Sequence, residues 1–367
     1  MRSMARRYRF LSFVLCCVLV GFGFTASAYD VHQLTDEGNN IHPSLDDGHV
    51  TWVRWDGEGS KIMISNLKVA FPAVISLTEN VGEKEHPSNR GSSRIVWQGR
   101  GFDAGDDWEI FIYDKYAIPR SRMFTDNDIP DRYPSLGIGG NFAWQSGDAM
   151  FESIHYWNES MKNESVISNT CCPTTSHSNE APSYDDYDVV WRTNNRIAGG
   201  SEFMFWRGFA SELDIPFGTD PDLYRGTMAY VGLVEGKRHI LYWDGEDVHE
   251  VTSGIYEGYN PSLYAGKIAF ERWIGGNWEI YYWDGSATHR VTDNDFDDID
   301  PSYDGNRVAW KGRPTGGSDQ IYYARVPEPS VTVSMGVALG TLLVLAYRRD
   351  EWGSRGRVAV DRSGGAG

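Results

Sequence analysis

The sequence predicts an all-β fold: a seven-bladed β-propeller of four-stranded antiparallel blades, closed by an N-terminal clasp strand. Three observations carry that expectation. First, a Pro recurs at 43, 87, 134, 182, 221, 261 and 301, followed by Ser in six cases and by Asp in one. Second, nine or ten residues after each Pro comes an aromatic: Trp52, Trp97, Trp144, Trp191, Tyr230, Phe270 and Trp310. Third, the last unit stops short of its fourth strand, while a spare strand, Val31 to Thr35, precedes the first.

Each repeat of about forty residues supplies its strands in order. A brief strand lies at the Pro-Ser. The aromatic marks the second strand, because a large apolar residue sits two positions before it in every unit (Val50, Ile95, Phe142, Val189, Met228, Ile268, Val308). That alternation suits a half-buried strand. A third strand follows as Ile110 to Tyr113, Ile240 to Trp243, Ile280 to Trp283 and Ile321 to Tyr323. After a turn, often Asp-Gly as at Asp244-Gly245 and Asp284-Gly285, a short strand ends on Thr35, Thr78, Thr125, Thr252 or Thr292. One such sheet exposes both faces, so neighbours must stack to bury the aromatic columns, and a ring leaves no end uncovered.

The closest copy of the repeat, Ile299-Asp300-Pro301-Ser302-Tyr303-Asp304-Gly305 running into Val308-Ala309-Trp310, resembles the TolB-type propeller unit. The resemblance covers nearly all of residues 31–325 and is a fold-level match. It implies a group whose members bind proteins, scaffold membrane complexes or serve as non-catalytic domains, with one metal-dependent catalytic branch, the oligogalacturonate lyases.

The two ends read as targeting segments. Residues 1–28 form a signal peptide: Arg2, Arg6, Arg7 and Arg9 precede an apolar run from Phe10 to Phe24, and Ala26-Ser27-Ala28 offers a cleavage site. At the other end Pro327-Glu328-Pro329 is followed by an uncharged run, Val331 to Ala346, long enough to cross a bilayer, and then by Arg348-Arg349. Residues 327–349 resemble the PEP-CTERM sorting signal, and residues 350–367 read as a disordered tail. The resemblance implies that an exosortase recognises and removes the tail in a Gram-negative host, leaving the propeller, residues 29–326, in the periplasm, at the cell surface or in the extracellular matrix. Eighteen residues follow the arginines, more than the family carries, so a plain membrane anchor is the alternative.

Charge narrows the partners. The chain has 34 Lys and Arg against 51 Asp and Glu, of which nine and four lie outside residues 29–326, so the propeller segment carries a net −22. Such a domain repels nucleic acid and anionic lipid at long range. Cys171 and Cys172, adjacent in the chain, offer no disulfide framework. They lie in a long connection, 158–182, rich in Ser, Thr and Asn, which also holds two Asn-Glu-Ser sequons.

Candidate sites cluster on the loops before each Pro. Asp126, Asp128 and Asp131, and Asp293, Asp295, Asp297 and Asp300, belong to two carboxylate-rich loops. Asp293, Asp295 and Asp297 alternate as the start of a calcium loop does, although Asp298 stands where the sixth-position glycine is expected and no closing Glu is suitably placed; a turn whose side chains bond their own backbone is the other reading. The residue before each Pro is expected to face the central channel: His42, His86, Tyr133, Ala181, Asp220, Asn260 and Asp300. His42, His86 and Asp300 are the candidate ligands for zinc or another transition metal. No Gly-x-Ser-x-Gly motif occurs. The favoured functional expectation is a non-catalytic binding or scaffold module for a protein or polysaccharide ligand; the alternative is a metal-dependent polysaccharide lyase or hydrolase using the channel His/Asp column.

Overall fold

The computed structural model describes residues 29–101, 107–148, 152–168, 177–185, 188–195 and 200–326. The signal segment, the sorting segment with Pro327, Glu328, Pro329, Arg348 and Arg349, and both cysteines lie outside the described residues. Among those described there is no helix long and apolar enough to cross a membrane. They form seven four-stranded antiparallel sheets. Blade 1 runs through Asn39–Asp46, His49–Trp55, Ser60–Asn66 and Ile75–Ser76. The inner strands of blades 2 to 7 are Glu83–Arg90, Asp131–Leu136, His177–Tyr184, Gly218–Tyr224, Gly258–Tyr264 and Asp297–Tyr303.

The repeated Pro has a structural reason. In all seven blades the pairing between first and second strands slips at the dipeptide ending in the anchor Pro, as between Ile41 and Ser44 or Ile299 and Ser302. A bulge leaves one residue unpaired, and Pro has no N–H to leave stranded there. The residue before it takes a positive φ of 46 to 53° at His42, His86, Tyr133, Asp220, Asn260 and Asp300. Strain of this kind at one residue would point to a functional position. Repeated with imidazole, phenol, carboxylate and amide side chains, it belongs to the architecture instead, and it turns each side chain off the sheet.

The Ser after the anchor Pro ties blades together at five interfaces. Ser88 Oγ accepts the backbone N–H of Leu136, Ser135 that of Tyr184, Ser183 that of Leu223, Ser262 that of Tyr303 and Ser302 that of Leu45, all at 2.9–3.0 Å. In the Pro-Asp unit Asp222 Oδ2 accepts from Leu263 at 2.7 Å. Six interfaces thus share one device, and the link from Ser302 to Leu45 joins the last blade to the first.

Blade 7 contains Asp297–Tyr303, Arg307–Arg313 and Gln320–Arg325, and its outermost strand is Val31–Gln33, paired antiparallel to Gln320–Arg325. Thr35 Oγ1 accepts the N–H of Ile321 at 2.9 Å. The strand-ending Thr residues elsewhere do the same for the third strand of their own blade, Thr78 for Ile62, Thr125 for Ile110, Thr252 for Ile240 and Thr292 for Ile280. Ser168 takes this role for Ile154 in blade 3. Here the sequence expectation needs correction. Residues 163–166 and 210–212 are the fourth strands of blades 3 and 4, although no Thr marks them, so the connection after residue 158 is not one long loop.

The core lies between blades, where Trp52, Trp97, Trp144, Trp191 and Trp310 are almost fully buried. A buried indole N–H needs an acceptor. The residue three before the anchor Pro provides it: Asn40 for Trp52, Asp131 for Trp144 and Asp298 for Trp310, at 2.8–2.9 Å. Where the aromatic is Tyr230 or Phe270 that position is Gly218 or Gly258, and a Cβ on Gly218 would stand 2.5 Å from the Tyr230 ring. Blade 2 breaks the rule. Its residue is Lys84, whose ammonium donates to the carbonyls of Ser60, Glu79 and Val81, and Trp97 Nε1 has no acceptor among the described residues.

Candidate functional site

The bulges aim their pre-proline side chains into the central channel. His42, His86, Tyr133, Asp220, Asn260 and Asp300 line a cavity of about 450 Å³ there. The ring of side chains divides into two chemical halves. His42 and His86 stack with centroids 4.2 Å apart and planes 18° apart, and Tyr133 continues the arc 4.9 Å from His86. Asp220, Asn260 and Asp300 make the other half.

The halves meet at the junction of blades 7 and 1. Asp300 pairs with Lys311 at 3.1 Å. Burial, with a smaller contribution from the Lys311 ammonium, pushes His42 down to about 4. Burial and then His42 push His86 down to about 3, while Asp300 pulls the other way. Both imidazoles are therefore neutral near pH 7. Below them Glu271 accepts the N–H of Asp300 at 2.8 Å and the amide of Asn260 at 2.9 Å, and burial raises its carboxyl to about 7. Gln98 holds the N–H of Tyr133 in the same way at 2.8 Å.

Gln98, Glu271 and Lys311 are functional neighbours that sequence reasoning missed. A signal existed: each follows directly on the second-strand aromatic, in a column whose other members include Val53 and Val231. Gln98, Glu271 and Lys311 reach the bulge of the next blade or their own. The column was readable by the same offset that revealed the aromatics.

The proposed metal ligands do not fit one ion. The lone pairs of an imidazole lie in its ring plane, and nearly parallel stacked rings send them side by side rather than to a common point. Among the described residues, no group of three or more His, Cys, Asp or Glu is placed to hold a metal. The acidic loops are likewise arranged around their asparagines. Asn127 Oδ1 accepts the N–H of Ile129 and its amide donates to Asp131; Asn294 does the same with Phe296 and Asp298. Asp126 and Asp128 are exposed, whereas Asp131 is buried against Trp144. Asp293 pairs with Arg290 at 2.8 Å, and Asp297 accepts the N–H of Trp278 at 3.0 Å. Asp295 is exposed.

No protein-family model matches this sequence, and no curated protein matches it. Solved structures do resemble the fold. The β-propeller domain of the trilobed protease from Pyrococcus furiosus superposes with a TM-score of 0.60 at 12% identity, over 80% of this chain and 100% of that one. The acylaminoacyl peptidase of Pyrococcus horikoshii gives 0.58 at 12%, over 82% of this chain and 54% of that one, so the present chain spans about half of it. The oligogalacturonate lyase of Vibrio parahaemolyticus gives 0.57 at 11%, over 83% and 95%. At such identities the likeness carries the fold. It also corrects the expectation of a non-catalytic scaffold: the propellers that this chain resembles belong to peptidases and a lyase. The sequence expectation rests on a propeller specifying a surface rather than a reaction, and a site assembled across blades leaves no motif in the sequence.

Proposed function

We propose that this protein is a polysaccharide-cleaving enzyme, a lyase or hydrolase, working from the channel column at the junction of blades 7 and 1. The observation that carries the reading is that His42, His86 and Asp300 line the channel cavity while Lys311 pairs with the Asp300 carboxylate and Glu271 accepts the Asp300 N–H behind it. The Lys311 ammonium, held by Asp300, supplies positive charge for a sugar carboxylate or for negative charge developing on a glycosidic oxygen. The imidazoles, neutral near pH 7, offer a hydrogen-bond donor and an acceptor each to sugar hydroxyls. Glu271 exchanges a proton near neutral pH, the property a carboxyl needs to serve as an acid at pH 7. The likeness to an oligogalacturonate lyase that is almost wholly covered by this fold supports a propeller acting without a second domain.

In the same proposal the repeat is of the TolB type. The chain is exported from a Gram-negative cell, and an exosortase is the partner of the tail at Pro327-Glu328-Pro329 and Arg348-Arg349. A divalent cation, calcium or a transition metal, enters this reading only as an additive to be tested.

The deciding experiment incubates the protein with uronic and with neutral polysaccharides, with and without added divalent cations. Ultraviolet absorbance of an unsaturated product marks a lyase; new reducing ends without it mark a hydrolase. Lys311→Met is expected to abolish either signal. No product from any polymer would overturn the proposal.

A further inference from the structure

A second site lies at the other mouth of the channel, on the face formed by the turns between first and second strands. Three cavities adjoin there. One of about 440 Å³ contains Arg90, Ile138, Tyr224, Arg225 and Tyr264. A second, of about 820 Å³, shares Ile138 and Arg225 with it and extends to Trp206. A third, of about 260 Å³, shares Arg90 and Gly139 with the first. Together they make one groove across the mouth.

Its lining holds four aspartates, Asp46, Asp47, Asp114 and Asp188, each paired with a cation, Asp47 with Lys68. The opposite face carries the aspartate loops and the channel carboxylates. In the groove, Arg90, Arg94 and Arg207 are each paired with an aspartate, Asp46, Asp114 and Asp188. Arg225 is exposed and has no carboxylate partner among the described residues. Its guanidinium lies 5.5 Å from the centre of the Tyr224 ring, and Tyr224 packs on Tyr264 with centroids 4.5 Å apart. Trp206, half-buried on Tyr156 at 4.9 Å, continues the aromatic wall. An unpaired guanidinium recognises a carboxylate by a two-point contact. Flat aromatic side chains along a groove offer apolar faces to sugar rings.

We infer that this groove binds an anionic, carboxylate-bearing oligosaccharide, with Arg225 on a carboxylate and Tyr224, Tyr264 and Trp206 along the sugar chain. The site is separate from the channel column and does not depend on cleavage there. The net −22 of residues 29–326 opposes an anion at long range, so binding rests on the short-range contact with Arg225, the one groove guanidinium without a carboxylate partner among the described residues.

The test is titration calorimetry at low salt, with a uronic acid oligosaccharide and an uncharged glucan oligosaccharide of equal length. Tighter binding of the uronic chain than of the glucan is expected, from the two-point contact of Arg225 with a carboxylate. Arg225→Ala should lower affinity roughly tenfold, and Arg225→Lys should fall between. The alanine variant is compatible with the turn, since blade 6 already carries Ala265 at this position with φ 50° against 48° for Arg225. Ser92→Glu, which adds a negative charge to the groove rim, should also weaken binding. Lys311→Met should leave it unchanged, so a failure of the cleavage reading and a failure of this one are distinguishable. Equal affinity for both oligosaccharides, no heat with either, or unaltered binding by Arg225→Ala overturns the inference.

Discussion

Ser302 Oγ accepts the backbone N–H of Leu45 at 2.9 Å, across 257 residues of chain. The same hydroxyl-to-amide link recurs at other blade interfaces, but this one joins the last blade to the first. Removing the acceptor strands a partly buried donor, which costs roughly 1–3 kcal/mol. Ser302→Ala is therefore expected to lower stability by about that amount in urea denaturation, and Ser262→Ala, which releases Tyr303, by a similar amount. A loss no larger than at an exposed serine such as Ser286 would show that the interface links contribute nothing.

Thr35 bridges the ring closure from the other side. Its hydroxyl donates to Gln320 Oε1 at 2.7 Å and accepts from Ile321 at 2.9 Å, and Asn40 also donates to Gln320 Oε1 at 3.1 Å. Thr35→Val keeps the shape and removes both bonds. It should cost roughly 1–3 kcal/mol. Limited proteolysis should then cut first near the Val31–Gln33 strand, because its short pairing is left with less to hold it. Cleavage elsewhere in the propeller would refute this account of the closure.

The repeat was legible because packing between blades demands the same residue at the same offset. Trp52, Trp144 and Trp310 could be counted without a structure. Their acceptors Asn40, Asp131 and Asp298 stand at an equally fixed offset, yet they were read as loop acids or left unread, since hydrogen-bond partners need not share a residue type. The Pro-Ser was read as an anchor, whereas its bulge and its interblade bond are three-dimensional facts. The channel site was only half legible. His42, His86 and Asp300 emerged from the pre-proline column, but their stacking, and the approach of Lys311 and Glu271 from the second strand, depend on how neighbouring blades face each other.

Several carboxyls are held protonated by burial, which makes stability depend on pH in a definite direction. Glu109, Glu271 and Asp298 are raised to about 7 and Asp222 to about 6. Between about pH 4 and pH 7 the folded state holds protons at these groups that the unfolded chain has released, so stability falls as pH rises through that range. His42 and His86, lowered to about 4 and 3, act oppositely below the ordinary imidazole value and are silent above it. Four groups outweigh two, so the decline runs from about pH 5 and levels off near pH 8, where the carboxyls have lost their protons in the folded state as well. Thermal unfolding should show a higher midpoint at pH 5 than at pH 8, by a difference on the order of a few kcal/mol. Glu271→Gln with Asp298→Asn should flatten the profile. A midpoint that rises from pH 5 to pH 8 would contradict the burial argument.

Glu271 also links stability to the proposed chemistry, and the two roles separate experimentally. Its oxygens accept from the Asp300 backbone and the Asn260 amide, so Glu271→Gln keeps one acceptor and turns an amide toward the other donor. That should displace Asp300 and loosen its 3.1 Å contact with Lys311. If Glu271 only positions Asp300, the variant should lower kcat while leaving the pH dependence near 7 in place. If its proton takes part in turnover, the limb near pH 7 should disappear as well. The proton-transfer role is the expected result, because burial has brought this carboxyl to about 7 directly behind Asp300 and its Lys311 partner. A pH–rate profile of the variant that retains the wild-type limb would assign Glu271 to positioning alone.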